Sequence, residues 1–187
     1  MFKTRRVIIG VAVVALSIAA FAGPASAAAG DLPVAAGTLS FDQPLGTPAF
    51  SAFTGVTLNG SPQVTSANLA PYIVTDATGS GAGWNVTIQL TQLTNGSHTL
   101  PLDSVHTTAG IVKADPGTTS NVPTMSALTG AGNGADHASA QKLASAAINE
   151  GMGVYLISPK PFVLTVPANA YVGTYTSTVT VSINSTP

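Results

Sequence analysis

Gly79-Ser80-Gly81-Ala82-Gly83-Trp84-Asn85-Val86-Thr87-Ile88-Gln89-Leu90 passes from a glycine-rich loop straight into an alternating run that holds the only tryptophan of the chain. In an extended chain successive side chains point to opposite faces, so Trp84, Val86, Ile88 and Leu90 share one side and Asn85, Thr87, Gln89 and Thr91 the other. One apolar face and one polar face describe a strand with core beneath it and solvent above it. Trp84 has two possible uses. An indole face could stack on a sugar ring, or it could fill the core at the mouth of its strand while the preceding glycines let the backbone turn sharply. The alternation favours the core.

The same grammar recurs along the chain. Runs rich in Val, Ile, Thr, Tyr and Phe alternate with Gly and Pro punctuation, which predicts an all-β fold. The candidate strands are 38–41, 56–58, 72–75, 84–93, 111–114, 154–157, 162–166 and 174–183. In the last of these Tyr175, Val179, Val181 and Ile183 share a face opposite Thr174, Thr176, Thr178, Thr180 and Ser182. The expected architecture is an antiparallel β-sandwich, Ig-like or jelly-roll-like. Residues 125–152 break the pattern, being rich in Ala, Gly and Ser with Leu143 and Ile148 as the strong apolar positions. They are expected to form a loop or short helix crossing one end of the sandwich.

Residues 1–27 carry Lys3, Arg5 and Arg6, an apolar run from Val7 to Ala22, and then Pro24 and Ala25-Ser26-Ala27. This is the pattern of a secretory signal peptide with an A-x-A cleavage site, sent by the general secretory route, which leaves 28–187 as a single secreted domain. Beyond the leader there is no arginine, and Lys113, Lys142 and Lys160 face Asp31, Asp42, Asp76, Asp103, Asp115, Asp136 and Glu150. Such a chain cannot neutralise a row of phosphates, which argues against nucleic acid and against anionic lipid as partners. The absence of cysteine excludes disulfides, thiol catalysis and thiolate-bound metal. After the leader no apolar run is long enough to span a bilayer as a helix.

The closing run Tyr175-Thr176-Ser177-Thr178-Val179-Thr180-Val181-Ser182-Ile183-Asn184-Ser185-Thr186-Pro187 resembles the terminal motif of the WxL domain, Y-x-x-x-[LIV]-T-W-x-L-x-x-x-P. Tyr175, Val179, Thr180 and Pro187 match, Ile183 stands for leucine and Val181 replaces the tryptophan. Upstream, Asp76, Gly83 and Trp84 resemble the first motif of that family, in which an Asp and a glycine-rich loop lead into Trp-x-Leu, with Val86 here in place of the leucine. Glu150-Gly151-Met152-Gly153 and Leu164-Thr165-Val166-Pro167-Ala168 resemble the segments before the closing motif. The likeness runs from about residue 37 to 187. It implies a bacterial surface protein held non-covalently to the cell wall through peptidoglycan or another wall polymer. Exchange of an inward-facing tryptophan for Val181 would be a change of core volume that neighbours could absorb.

No convincing catalytic set emerges, and no cofactor or metal is expected. His98, His106 and His137 read as solvated loop histidines beside Asp103 and Asp136, without metal-ligand spacing. Serines are abundant, but no G-x-S-x-G elbow is present, and Glu150 has no evident carboxylate partner. Asp76 is expected to brace its turn rather than ligate calcium. The expectation is a non-catalytic, wall-associated domain whose polar face hydrogen-bonds glycan or peptide, helped by an exposed aromatic such as Tyr72, Tyr155 or Tyr171. The rivals are an assembly module binding other surface proteins or itself, and an enzyme acting on wall polymers.

Overall fold

The structure is a computed structural model that describes residues 32–42 and 46–187. The leader expected over residues 1–27 lies outside the described residues. Ala35–Pro187 forms one compact unit, and the account below concerns that unit.

Every regular element among the described residues is a strand. In chain order they are β1 (Leu39–Phe41), β2 (Gln63–Ala67), β3 (Tyr72–Asp76), β4 (Trp84–Leu90), β5 (Thr94–Asn95), β6 (His98–Thr99), β7 (Val105–His106), β8 (Ile111–Ala114), β9 (Thr124–Met125), β10 (Gln141–Ala146), β11 (Gly153–Ser158), β12 (Phe162–Val166) and β13 (Val179–Asn184). They assemble into a first sheet β1-β3-β11-β8, a second β13-β4-β10-β9, a third β2-β12-β7 and the small hairpin β5-β6. Every pairing is antiparallel. The all-β, antiparallel expectation therefore holds.

β4 behaves as its alternation demands. Trp84, Val86, Ile88 and Leu90 are buried, and the partly buried Tyr175, Val179, Val181 and Ile183 pack against the same core. Across the ladder Val181 stands opposite Ile88 and Ile183 opposite Val86. The core draws on all three sheets, with Trp84, Tyr72, Tyr155 and Phe162 its largest sealed side chains. Trp84 of the second sheet meets Tyr155 of the first with ring centroids 6.4 Å apart and planes at 53°.

The alanine-rich segment corrects the expectation of a loop or short helix. Gln141–Ala146 is an interior strand, paired with β4 on one side and β9 on the other. Helix propensity is a weak preference that packing overrides. Here Ala146 stands opposite Trp84 and Ala144 opposite Val86, so small side chains leave room for large ones. The register shifts between Lys142 and Ala144, a bulge that lets Leu143 and Ala144 both be buried.

Three strand expectations also move, the first being that the run expected over 84–93 ends as a strand at Leu90. Residues 56–58 form no strand, and the strand nearby is β2, whose inward positions are Thr65 and Ala67 while Val64 faces out. Regular pairing of the last strand starts at Val179 rather than Thr174, with Thr176 making only an isolated bridge to Thr94.

Candidate functional site

The two ends of β4 differ in kind. Before Trp84, Gly83 has φ of 74°, and a Cβ there would lie 2.6 Å from the Ala146 carbonyl oxygen and 2.8 Å from that of Ala147. Both the conformation and the space demand glycine. Trp84 Nε1 donates to the Gly151 carbonyl at 2.9 Å, and Gly151 itself has φ of 71° and leaves no room for a Cβ, which would lie 2.7 Å from Trp84 Nε1. The tryptophan is wholly buried, so it offers no face to a sugar.

Asp76 is buried at the end of β3 and accepts from Thr78 N at 3.0 Å and Thr78 Oγ1 at 2.7 Å. Thr78 Oγ1 in turn lies 2.9 Å from Ser80 Oγ, which accepts from Ala82 N at 3.2 Å. These bonds brace the glycine loop and give Asp76 the turn role. Tyr155 closes the same region: its hydroxyl donates toward the Met152 carbonyl at 3.1 Å, and burial holds its pKa above the ordinary value. Tyr72 is equally sealed, and burial pushes its phenol upward as well. Neither can serve as the exposed aromatic of the expectation. Tyr171 can, being 62% exposed and stacked on the His98 ring at 3.6 Å and 8°.

The outer face of the second sheet is the polar half of the same alternation. Thr180 stands opposite Gln89, Ser182 opposite Thr87, and Asn184 opposite Asn85, with Lys142 and Ser145 of β10 continuing the last two rows. Thr180, Asn184 and Lys142 are exposed, and Thr87, Gln89 and Ser182 are half-buried. Asn184 Nδ2 donates to Asn85 Oδ1 at 3.2 Å, Asn85 Nδ2 to the Thr186 carbonyl at 2.5 Å, and Gln89 Nε2 to the Ala138 carbonyl at 3.0 Å. These bonds hold the amides in place. Of the closing-motif positions, Thr180 and Pro187 are exposed, while Tyr175 and Val181 are half-buried toward the core.

Beyond Leu90 the sheet opens into a groove of about 870 Å³. Its floor is Leu90, Leu93, Leu100, Leu164 and Val166, and its two walls are the irregular segments 50–58 and 170–177. The sequence alone named Tyr171 only as one of three candidate exposed aromatics and predicted a strand over 56–58.

Several titratable residues serve as braces. Asp103, at φ of 57°, accepts from Gly134 N at 3.0 Å, from Gly132 N at 3.1 Å and from His137 Nδ1 at 2.9 Å. The Gly134 amide foremost, with help from Gly132 and His137, holds its pKa below the ordinary carboxylate value against opposing desolvation. Buried Asp136 accepts from Val105 N at 2.9 Å and from Ser104 N at 3.1 Å, with Ser104 Oγ 2.8 Å away. Ser104 Oγ is thus turned to a carboxylate and to the Pro101 carbonyl, not to a histidine. Glu150 accepts from Asn121, and the half-buried His106 leaves Nδ1 without a partner among the described residues. Asp103, His106 and Glu150 are not brought together by any of these bonds. Among the described residues no three His, Asp or Glu side chains gather as a metal site, and no helix is long and apolar enough to cross a membrane.

A protein-family model, WxL domain surface cell wall-binding, matches residues 36–187. No curated protein and no solved structure matches the chain.

Proposed function

We propose, from the fact that the chain belongs to the WxL domain family, that it is a secreted, non-catalytic β-sandwich domain that holds non-covalently to cell-wall peptidoglycan. The observation that carries the reading is the polar outer face of β13, β4 and β10, whose residues interleave with the buried motif residues on the same strands. Neighbouring strands lie about 4.8 Å apart and same-face residues about 7 Å apart along a strand, so the hydroxyls and amides form a regular grid. Each hydrogen bond exchanged with water contributes only about 0.5–1.5 kcal/mol net. A grid touching a repeating polymer at many points turns weak contacts into retention. Lys142 is the lone charge in those rows, so the face suits neutral hydroxyl and amide groups.

Ser104, Asp103, Asp136, His137 and Glu150 are engaged in hydrogen bonds within the domain, which supports a binding role over an enzymatic one. The leader-like residues 1–27 support export. Sedimentation of the purified protein with purified cell-wall sacculi tests the reading. The protein is expected in the pellet, and the double variant Thr180→Asp, Asn184→Asp in the supernatant. Recovery of the unaltered protein wholly in the supernatant would overturn it.

A further inference from the structure

The groove beyond Leu90 is built differently from the polar face, and its chemistry selects a different occupant. Its five-residue aliphatic floor has no hydrogen-bonding side chain, and among the described residues no Asp, Glu, Lys, Arg or His lines it. A charge seated on that floor would shed its hydration with no opposite charge to replace it, since the walls offer only neutral hydroxyls such as those of Thr57 and Tyr171. A sugar would leave several hydroxyls facing the Leu and Val floor, unpaired.

One wall carries a second feature. Residues 55–57 are exposed, and among the described residues their backbone N–H and C=O groups have no hydrogen-bond partner. Ahead of these residues the wall is anchored. Phe50 packs on Phe162 with centroids 5.3 Å apart, and Thr65 Oγ1 donates to the Thr54 carbonyl at 2.5 Å. The opposite wall is fixed by Asn95 Nδ2 donating to the Val172 carbonyl at 3.1 Å and by Tyr175 Oη donating to that of Tyr171 at 3.1 Å. Val56-Thr57-Leu58 thus has the residue types of a strand, a row of vacant backbone groups and no strand to pair with. It stands beside an uncharged apolar trough.

We propose that this groove receives an extended, uncharged segment of a partner protein, which pairs its backbone with residues 55–57 and buries alternate apolar side chains on the leucine floor. Strand addition divides labour in this way: main-chain bonds supply affinity, and the pockets for alternate side chains supply selectivity. The absence of charge in the lining fixes the character of the occupant, and the bare backbone fixes its conformation. The strand of a second copy that would match, β13, already has its inward side chains committed to its own core. The site would join the domain to another surface protein while the polar face holds the wall.

The test is a phage-displayed library of random heptapeptides screened against the purified protein. Enrichment of uncharged sequences with apolar residues at alternate positions is expected. A selected peptide, made synthetically, should lose at least tenfold in affinity when its alternate amides are N-methylated, and at least tenfold on Val56→Asp. Val56 is 37% exposed, so that variant should keep its thermal midpoint. If it does not, Val172→Asp on the opposite wall, at an 89% exposed position, serves instead. Either variant should still pellet with sacculi, which separates this site from the wall-binding face. The proposal is overturned by no enrichment, by enrichment of charged sequences, or by binding that survives both changes. It is equally overturned by displacement of the peptide by a neutral soluble wall saccharide, or by a dimer of this chain that occupies the groove.

Discussion

At its first residue β4 enters a region where every contact is used, and about 20 Å further on, at Leu90, the same apolar face runs out into an open trough. The alternation is identical at both ends. What differs is the neighbouring backbone: at Trp84 the glycines at 83 and 151 let carbonyls close directly on the indole, whereas beyond Leu90 the segments 50–58 and 170–177 stand apart as walls. The difference teaches that a family signature residue such as Trp84 can be wholly structural, and that the open apolar surface lies at the other end of its strand.

The sharpest way to break the comparison is Trp84→Ala. Emptying this sealed site is expected to cost about 3–5 kcal/mol, read as a large fall in the midpoint of chemical unfolding. Any loss of wall binding in that variant would report unfolding. Gly83→Ala should cost about 1–3 kcal/mol, because it combines a left-handed backbone with a Cβ forced onto the Ala146 and Ala147 carbonyls. Thermal unfolding measures it, and a midpoint unchanged from the parent would deny that the loop is closed as described.

Asp103 gives a smaller, pH-dependent effect. Its pKa is lowered in the folded state, so its stabilisation is present above the ordinary value of 3.8 and is lost as pH falls through the folded value. Asp103→Asn should therefore flatten the decline of the thermal midpoint below about pH 4. An unaltered acid profile would remove Asp103 as the brace of the loop at Gly132–Gly134. The smallest effect belongs to the open end: Val56→Ser should change stability by no more than about 0.5 kcal/mol, since the side chain is already substantially exposed. A midpoint shift as large as that of Gly83→Ala would mean that the groove wall is part of the core.

Strands with strong alternation or β-branched residues were legible before the structure. Ile111–Ala114 and Phe162–Val166 fall at their expected bounds, and Trp84 points inward as the period-two pattern requires. β10 was not legible, because its inward residues are alanines, and alanine signals helix by itself but fits here by leaving room for Trp84 and Val86. β2 was hidden for a related reason: Thr65 and Ala67 face in and Val64 faces out, which inverts the usual hydropathy of a strand. Residues 56–58 misled in the opposite sense. They have strand chemistry, but the described residues provide no ladder partner, and a strand is defined by its partner as much as by its own side chains.

The candidate surfaces were half legible. The hydroxyl and amide face follows from alternation alone, whereas the groove depends on how segments 50–58 and 170–177 stand over the leucines, which no local pattern encodes. Tyr155 could have been assigned to the core, since Ile157 two residues on continues its face, and likewise Tyr72 with Val74. The hairpin β5-β6 also had a signal in Gly96-Ser97, a two-residue loop whose first position, Gly96, takes φ of 57°.

The burial of Trp84 at one end of β4 has an optical consequence. It is the chain's single indole, it is shielded from water, and it sits about 20 Å along the strand from the groove mouth. Its fluorescence therefore reads the integrity of the fold and is blind to what fills the groove. A red shift of emission on adding a ligand would announce denaturation, while a true occupant would have to be detected through Tyr171 or by heat.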